Sequence, residues 1–76
     1  MSALIDEAQA HKRMPPPQLA RAIRTAAGVS QTRLAAELGV HPVTVARWEA
    51  GTRRPVGDLK RRYVALLGQL RDVMST

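Results

Sequence analysis

Apolar residues recur three and four positions apart along most of the 76-residue chain, which is the spacing of one face of an α-helix. A proline run at 15–17 interrupts this pattern, and so do Gly28, Gly39 and Gly51. Proline suits the first turn of a helix, and glycine suits the position just after its end. The pattern therefore predicts an all-α domain of short helices separated by tight turns.

The first firm helix is expected from about Pro17 to Ala27, and Gly28 should end it. Pro17 suits this start because the first turn of a helix does not use the N–H that proline lacks. The residues predicted to form its buried stripe are Leu19, Ala22, Ile23 and Ala26.

A second helix is predicted over 31–38, because Ser30 is a suitable N-cap for it. Gly39 can then supply the positive φ of a tight turn, and Val40 should anchor that turn in the core. The inward face of this helix is expected to consist of Leu34, Ala35 and Leu38.

A third helix is predicted over 41–50, with Pro42 at its first position and Gly51 at its end. Val45 and Trp48 lie three residues apart and should face inward. Two short helices joined by a glycine turn of three or four residues form a helix-turn-helix motif. Trp48 is therefore expected in the core rather than as a platform on which bases stack.

The rest of the chain flanks this motif. Residues 1–14 are predicted to be an N-terminal segment that is either a short helix or disordered. Residues 15–67 are predicted to be the helix-turn-helix domain, and residues 68–76 a C-terminal helix extension.

A last helix is predicted from Leu59 to about Met74, with Asp58 as its cap. Gly68 costs about 1 kcal/mol within a helix, so the helix could break there. The apolar residues beyond the predicted domain are Leu70, Val73 and Met74. They are expected to form a dimer contact or, alternatively, to pack against the N-terminal segment around Leu4 and Ile5.

The charge is compatible with a polyanionic partner, because 12 Lys and Arg residues oppose 6 Asp and Glu residues and give a formal net charge of +6. The alternative is that the arginine content reflects a GC-rich genome. The absence of cysteine excludes disulfides and thiolate metal sites. The chain has two histidines, which cannot build a zinc site by themselves. No apolar run approaches the length of a membrane span, so we expect an intracellular, cytoplasmic protein.

The stretch from about Leu19 to Leu67 resembles the phage-repressor and Cro-like helix-turn-helix family. The residues that carry the resemblance are Arg24, the Gly28-Val29-Ser30-Gln31 run, Leu34-Ala35, Leu38-Gly39-Val40, Thr44-Val45, Arg47-Trp48-Glu49, Gly51, Arg54-Pro55 and Leu59. The resemblance implies a compact, lambda-repressor-like domain of four or five helices. It also implies that helix 41–50 lies in the major groove of double-stranded DNA.

The residues expected to read bases are His41, Pro42, Val43 and Arg47. Val43 could touch a thymine methyl group, and His41 could donate to guanine or to a phosphate. Arg47 lies one turn beyond Val43 on the same face, which suits a bidentate contact with guanine. The alternatives are that Arg47 clamps a phosphate without base preference and that His41 only caps the helix.

The residues expected to contact phosphates are Ser30, Gln31, Arg33, Thr44, Arg53 and Arg54. For Ser30, Gln31 and Thr44 the resemblance implies this role, and the amides of a helix N-terminus favour an anion. Arg53 and Arg54 follow Gly51 in a loop and could reach the DNA backbone or an adjacent minor groove. Arg33 is either a phosphate contact or a solvated surface residue.

Two positions depart from the family pattern. His41 occupies the cap of the recognition helix, where Ser or Thr is usual. Arg33 occupies a position where many members carry an acid, so no capping box is expected at the second helix. The resemblance also implies that Arg24 and Glu49 form an ion pair, which makes Glu49 a structural rather than a catalytic residue.

Together these features predict a sequence-specific transcriptional regulator, Cro-like or repressor-like, from a phage, a prophage or their bacterial host. It is expected to bind DNA as a homodimer, formed either free or only on DNA, without a cofactor, metal or small-molecule ligand. An antitoxin and a restriction-modification controller are alternatives within DNA binding. A protein-interaction adaptor is a further alternative, but acids rather than arginines would then be expected on the exposed face. No catalytic residues are predicted.

Overall fold

Five α-helices make up the computed structural model of the protein, which describes residues Ser2–Ser75. The helices are α1 (Ala3–Arg13), α2 (Pro17–Ala26), α3 (Gln31–Leu38), α4 (Pro42–Ala50) and α5 (Gly57–Ser75). Strands are absent from the described residues, and the all-α class is confirmed. The outermost positions of the predicted segments 1–14 and 68–76, Met1 and Thr76, lie outside the described residues.

The turn between α3 and α4 forms as the sequence predicts. Ser30 caps α3, with its Oγ accepting a hydrogen bond from the backbone N–H of Arg33 at 3.0 Å. Gly39 has a φ of +72°, in the left-handed region that favours glycine. The N–H of Val40 then donates to the carbonyl of Ala35 at 3.0 Å. These contacts end α3 and redirect the chain into α4 within three residues.

The core lies where α2, α3, α4 and α5 meet. Its buried members are Ala20, Ile23, Leu34, Ala35, Leu38, Val45, Trp48, Tyr63 and Leu67. The predicted inward faces of α3 and α4 are therefore confirmed. Ala35 is fully buried, and its small side chain lets the two helices of the motif cross closely. The rings of Trp48 and Tyr63 pack with centroids 4.8 Å apart, which places Trp48 in the core.

The predicted buried stripe of α2 is wrong in most of its members. Leu19, Ala22 and Ala26 are exposed, whereas Ala20, Ile23 and Arg24 are buried. The buried face is displaced by about one residue, or about 100°, because Arg24 turns inward to meet an acid on α4. Apolar spacing alone does not anticipate a buried arginine on the core face.

Helix α5 is continuous and starts earlier than predicted. It begins at Gly57, so Asp58 lies within its first turn and pairs with Arg61 at 3.0 Å rather than acting as the cap. The break that Gly68 could have caused does not occur. The buried side chain of Leu67 and the half-buried side chain of Leu70 hold the helix against the core on both sides of Gly68. Beyond them, Val73 and Met74 are exposed.

Helix α1 packs against α5. Its buried contact is Ala10, whose small side chain allows close approach, while Leu4 and Ile5 remain exposed. The alternative that the apolar residues at 70, 73 and 74 pack against the segment around Leu4 and Ile5 is therefore wrong, because Val73 and Met74 are exposed as well. A second link joins the two helices, because His11 Nδ1 lies 2.7 Å from the Nζ atom of Lys60.

Candidate DNA interface

A buried ion pair connects α2 to α4. Arg24 Nε donates to Glu49 Oε2 at 2.6 Å, and Arg24 Nη2 donates to Glu49 Oε1 at 2.9 Å. The side chains are only 8% and 2% exposed, respectively. This bidentate geometry brings together the two residues that the family resemblance pairs, and it fixes the rotation of α4 relative to α2.

The pair extends into a network that the sequence analysis missed. The third guanidinium nitrogen of Arg24, Nη1, donates to the carbonyl of Val29 at 2.7 Å. Gln31 Nε2 donates to Glu49 Oε1 at 3.0 Å. The network therefore ties α2, the turn after it, the start of α3 and α4 into one rigid unit. The sequence offers no spacing signal for these links, because 18 positions separate Gln31 from Glu49.

The contacts between Arg24 and Glu49 keep both side chains ionised. Burial, the largest single influence, raises the pKa of Glu49, but the hydrogen bonds from Arg24 and Gln31 and the charge of Arg24 together outweigh it. The pKa of Glu49 therefore lies below its ordinary value of 4.5. The hydrogen bonds with Glu49 likewise hold the pKa of Arg24 above its ordinary value. Both groups are ionised at neutral pH.

The lowered pKa of Glu49 predicts a loss of stability in acid. Because the folded state holds this proton less tightly than the unfolded state, the stabilisation is complete above pH 4.5 and falls as the pH drops towards the folded pKa. Urea unfolding between pH 2.5 and 7 should show this decline in the native chain and a flatter profile in Glu49→Gln. Identical acid slopes in the two proteins would contradict the assignment.

The exposed face of α4 carries the predicted base-reading residues. Val45 and Trp48 are buried on one side of the helix, whereas Val43 is 45% exposed and Arg47 is also exposed on the other. The structure thus separates an anchoring face from a free face, as binding in the major groove requires. Pro42, at the first position of the helix, is half-buried.

His41 caps α4 through its ring. Its Nδ1 accepts a hydrogen bond from the N–H of Val43 at 3.1 Å. An accepting Nδ1 requires the neutral tautomer with its proton on Nε2. Since the side chain is exposed, this Nε2–H can donate outward while Nδ1 holds the cap. The two functions that the sequence leaves as alternatives for His41 are therefore compatible.

Replacing His41 tests the cap. His41→Ala should lower the free energy of unfolding by about 1 kcal/mol, because the N–H of Val43 loses its partner. His41→Ser should restore most of that loss, since serine is a good N-cap. Urea unfolding of the three proteins measures the difference. Equal stability of the native protein and the alanine variant would show that the ring does not cap the helix.

The predicted phosphate contacts fall into two groups. At the start of α3, Ser30 Oγ accepts the capping hydrogen bond and Gln31 Nε2 donates to Glu49, while the backbone N–H groups of this helix N-terminus offer donors to an anion. Arg33 is exposed and pairs with Glu37 at 3.0 Å, four residues along the same helix. A spacing of four residues between opposite charges on a helix predicts such a pair, although the pair is not among the expectations from the sequence.

The second group surrounds a shallow groove beside α4. Thr44, Arg47, Arg53 and Arg54 line it together. Within Ser2–Ser75 the guanidinium groups of Arg53 and Arg54 have no hydrogen-bond or ion-pair partner, and neither does that of Arg47. Three uncompensated positive charges around one groove form a surface for a polyanion.

Comparison with known proteins agrees with this geometry. The chain matches the family model described as helix-turn-helix over residues 21–64, which span α3 and α4 with most of α2 and the first part of α5. No curated protein and no solved structure matches the chain.

The fold, the exposed face of α4 and the basic groove beside it define a helix-turn-helix protein that binds DNA. The chain belongs to the phage-repressor and Cro-like helix-turn-helix family, and its fold is lambda-repressor-like. It is a DNA-binding regulator. Within Ser2–Ser75, no helix has the length and apolar content to cross a membrane. No cluster of three or more His, Asp or Glu side chains in the same range is arranged to hold a metal ion.

Proposed function

We propose that the protein is a transcriptional regulator of the Cro or repressor type that reads a specific operator with α4. The observation that carries the proposal is the division of α4 into two faces. One face is fixed by Val45, Trp48 and the ion pair of Glu49, while the other presents Val43 and Arg47 to solvent. A rigid helix with an exposed apolar and cationic face suits the donor, acceptor and methyl pattern of the major groove.

The proposed readers are His41, Pro42, Val43 and Arg47. Arg47 follows Val43 by one helical turn, and its guanidinium has no partner within the described residues. It is thus free to make the planar, bidentate contact with guanine that arginine favours. Val43 supplies apolar contact for a thymine methyl group, and His41 supplies the Nε2–H donor.

The proposed phosphate contacts are Ser30, Gln31, Arg33, Thr44, Arg53 and Arg54. Ser30 and Gln31 act through the backbone amides of the α3 N-terminus, which point at an anion bound there. Arg53 and Arg54 contact the backbone beyond the C-terminal end of α4. Arg33 reaches a phosphate by giving up its exposed ion pair with Glu37, which contributes little to stability.

We also propose that the operator complex is a symmetric dimer, with residues 15–67 as the DNA-binding unit and 68–76 as the dimer contact. A single recognition helix contacts only a few base pairs, which is too little readout to single out an operator in a genome. The proposed dimer contacts are Leu70, Val73 and Met74. Val73 and Met74 are 72% and 41% exposed, and Leu70 is half-buried beside them.

Selection of bound duplexes from a random DNA library tests the reading function. The expected result is an inverted repeat whose half-sites lie one helical turn, about 34 Å, apart. Retention of duplexes without any enriched sequence would contradict a regulator that reads an operator and would leave only general affinity for DNA.

Sedimentation of the protein with the selected duplex tests the dimer. Two chains should bind each duplex, and Met74→Glu should weaken binding because it places a charge in the proposed contact. Leu4→Glu is the matched control, since Leu4 is also an exposed apolar residue but lies on α1. One chain per duplex with full sequence preference would contradict the dimer.

A further inference from the structure

A second basic surface lies beside the groove of α4, in a cleft of about 300 Å³. His11 of α1, Arg53 and Arg54 of the loop after α4, and Lys60 of α5 line it. We name these four residues the basic cleft. The family match begins at residue 21, so the wall that α1 supplies lies outside the matched residues.

The basic cleft contains no compensating acid among the described residues that line it. Lys60 Nζ lies 2.7 Å from His11 Nδ1, and an ammonium group can only donate, so this ring nitrogen accepts and carries no proton. The charge of Lys60 is consequently not neutralised by its partner. Neither Arg53 nor Arg54 has a side-chain partner within Ser2–Ser75. Three full positive charges therefore converge from two separate segments.

The remaining walls of the cleft are apolar. Met14, Trp48, Gly51 and the prolines at 15, 17 and 55 complete the lining. Apolar walls exclude water and strengthen the attraction between the cations and a bound anion. Concave, largely apolar sites with a few convergent polar groups are typical of ligand-binding sites, and this volume lies at the small end of their range.

We propose that the basic cleft binds a phosphate group. Two guanidinium forks and one ammonium group supply donors from several directions, which suits the multiple oxygens of a phosphate better than a single carboxylate. The three cationic charges also favour an anionic ligand over a neutral one. The phosphate belongs either to the DNA backbone flanking the operator or to a small phosphorylated molecule whose body packs against the apolar walls.

The position of Arg53 and Arg54 connects the basic cleft to DNA binding, because both residues also line the groove beside α4. If the phosphate is part of DNA, α1 and α5 extend the interface beyond the major groove; this source rests on the proposed function. If the phosphate belongs to a free molecule, its binding engages both arginines and competes with DNA for them.

Trp48 provides a direct reporter, because it is the one tryptophan of the chain and lines the cleft. Titration of the full chain with pyrophosphate, without DNA, should change its fluorescence in a saturable manner, whereas sodium chloride at equal ionic strength should not. Lys60→Gln should weaken this binding about tenfold through the loss of a charge-assisted hydrogen bond. Lys60→Arg should retain it.

Lys12→Gln is the matched control, because it removes the same charge from an exposed residue next to His11 that does not line the cleft. Circular dichroism verifies that the helices persist in each variant. No saturable response to pyrophosphate, or an equal loss in Lys12→Gln and Lys60→Gln, would overturn the proposal.

Binding of a duplex that extends beyond the operator distinguishes the two sources. A DNA phosphate predicts weaker binding by Lys60→Gln than by Lys12→Gln, with a salt slope lowered by about one. A free phosphorylated molecule predicts unchanged duplex binding by Lys60→Gln and competition between pyrophosphate and DNA. Binding of pyrophosphate without any binding of duplex DNA would contradict the proposed function but not the phosphate site in the cleft. Binding of duplex DNA without any binding of pyrophosphate would overturn the phosphate site but not the proposed function.

Discussion

Replacing Arg24 with alanine is expected to lower the free energy of unfolding by about 3 kcal/mol, because it leaves the carboxylate of Glu49 buried without its cation. Only the hydrogen bond from Gln31 would remain to that carboxylate. A domain of this size has a total stability of about 4–11 kcal/mol, so the loss is a large fraction of it. Urea unfolding followed by circular dichroism measures the change.

The double-mutant cycle separates the pair from its surroundings. Glu49→Ala should cost about as much as Arg24→Ala, since it strands the guanidinium with only the carbonyl of Val29. Replacing both residues, as Arg24→Met with Glu49→Leu, should cost much less than the sum, because no unpaired charge is left in the core. Additive losses would show that the two side chains are not coupled.

Arg33→Ala is the control for the loss of an arginine. Its pair with Glu37 has the same type of partner, but the two side chains are 66% and 55% exposed. Exposed pairs of this spacing contribute about 0.3–0.5 kcal/mol. A loss of 3 kcal/mol at Arg24 beside a small change at Arg33 would therefore assign the effect to burial rather than to net charge.

The helix-turn-helix could be predicted from the sequence because its determinants are local. Ser30 caps the N–H three residues ahead of it, and Gly39 and Gly51 have the positive φ values that end α3 and α4. Each of these choices depends on neighbours within one turn of helix. For the same reason, the inward faces of both helices agree with their apolar spacing.

Features that depend on contacts between distant residues could not be predicted in the same way. The apolar spacing of α2 does not show which face it turns to the core, because that face includes Arg24, whose partner Glu49 lies 25 positions away. The continuity of α5 through Gly68 depends on Leu67 and Leu70 packing against other helices. At Gly68, tertiary packing thus outweighs a local preference that costs about 1 kcal/mol.

The candidate site likewise contains features that local spacing predicts and features that depend on contacts between distant residues. Arg47 and Val43 could be assigned to one exposed face from their spacing of four residues. The engagement of Gln31 with Glu49 depends on how α3 meets α4, and the approach of His11 to Lys60 depends on how α1 meets α5. Gln31 therefore matches the family pattern in sequence, while in the structure its side chain donates a hydrogen bond to the buried carboxylate of Glu49.

Substituting Arg47 is expected to have the largest effect on operator binding. Loss of one bidentate contact with guanine costs about 1–3 kcal/mol, which corresponds to a factor of about 5–150 in affinity. In a symmetric dimer each substitution removes two such contacts, so Arg47→Ala should weaken operator binding by about 2–6 kcal/mol. The structure supports a large effect, because the Arg24–Glu49 network holds α4 rigidly and Arg47 is the one Lys or Arg within Pro42–Ala50.

The loss at Arg47 must also be specific to sequence. Arg47→Ala should bind non-operator DNA nearly as well as the native protein and should lose preference at one position of each half-site.

Arg33→Ala is the matched variant, since it removes the same side chain from an exposed position at the start of α3. It should instead weaken all duplexes about equally and lower the salt slope, as loss of a phosphate contact does. Affinities of both variants for operator and scrambled duplexes, measured at several salt concentrations, distinguish the two functions. If Arg47→Ala weakened every duplex to the same extent, Arg47 would be a phosphate contact, and sequence reading would rest on His41 and Val43.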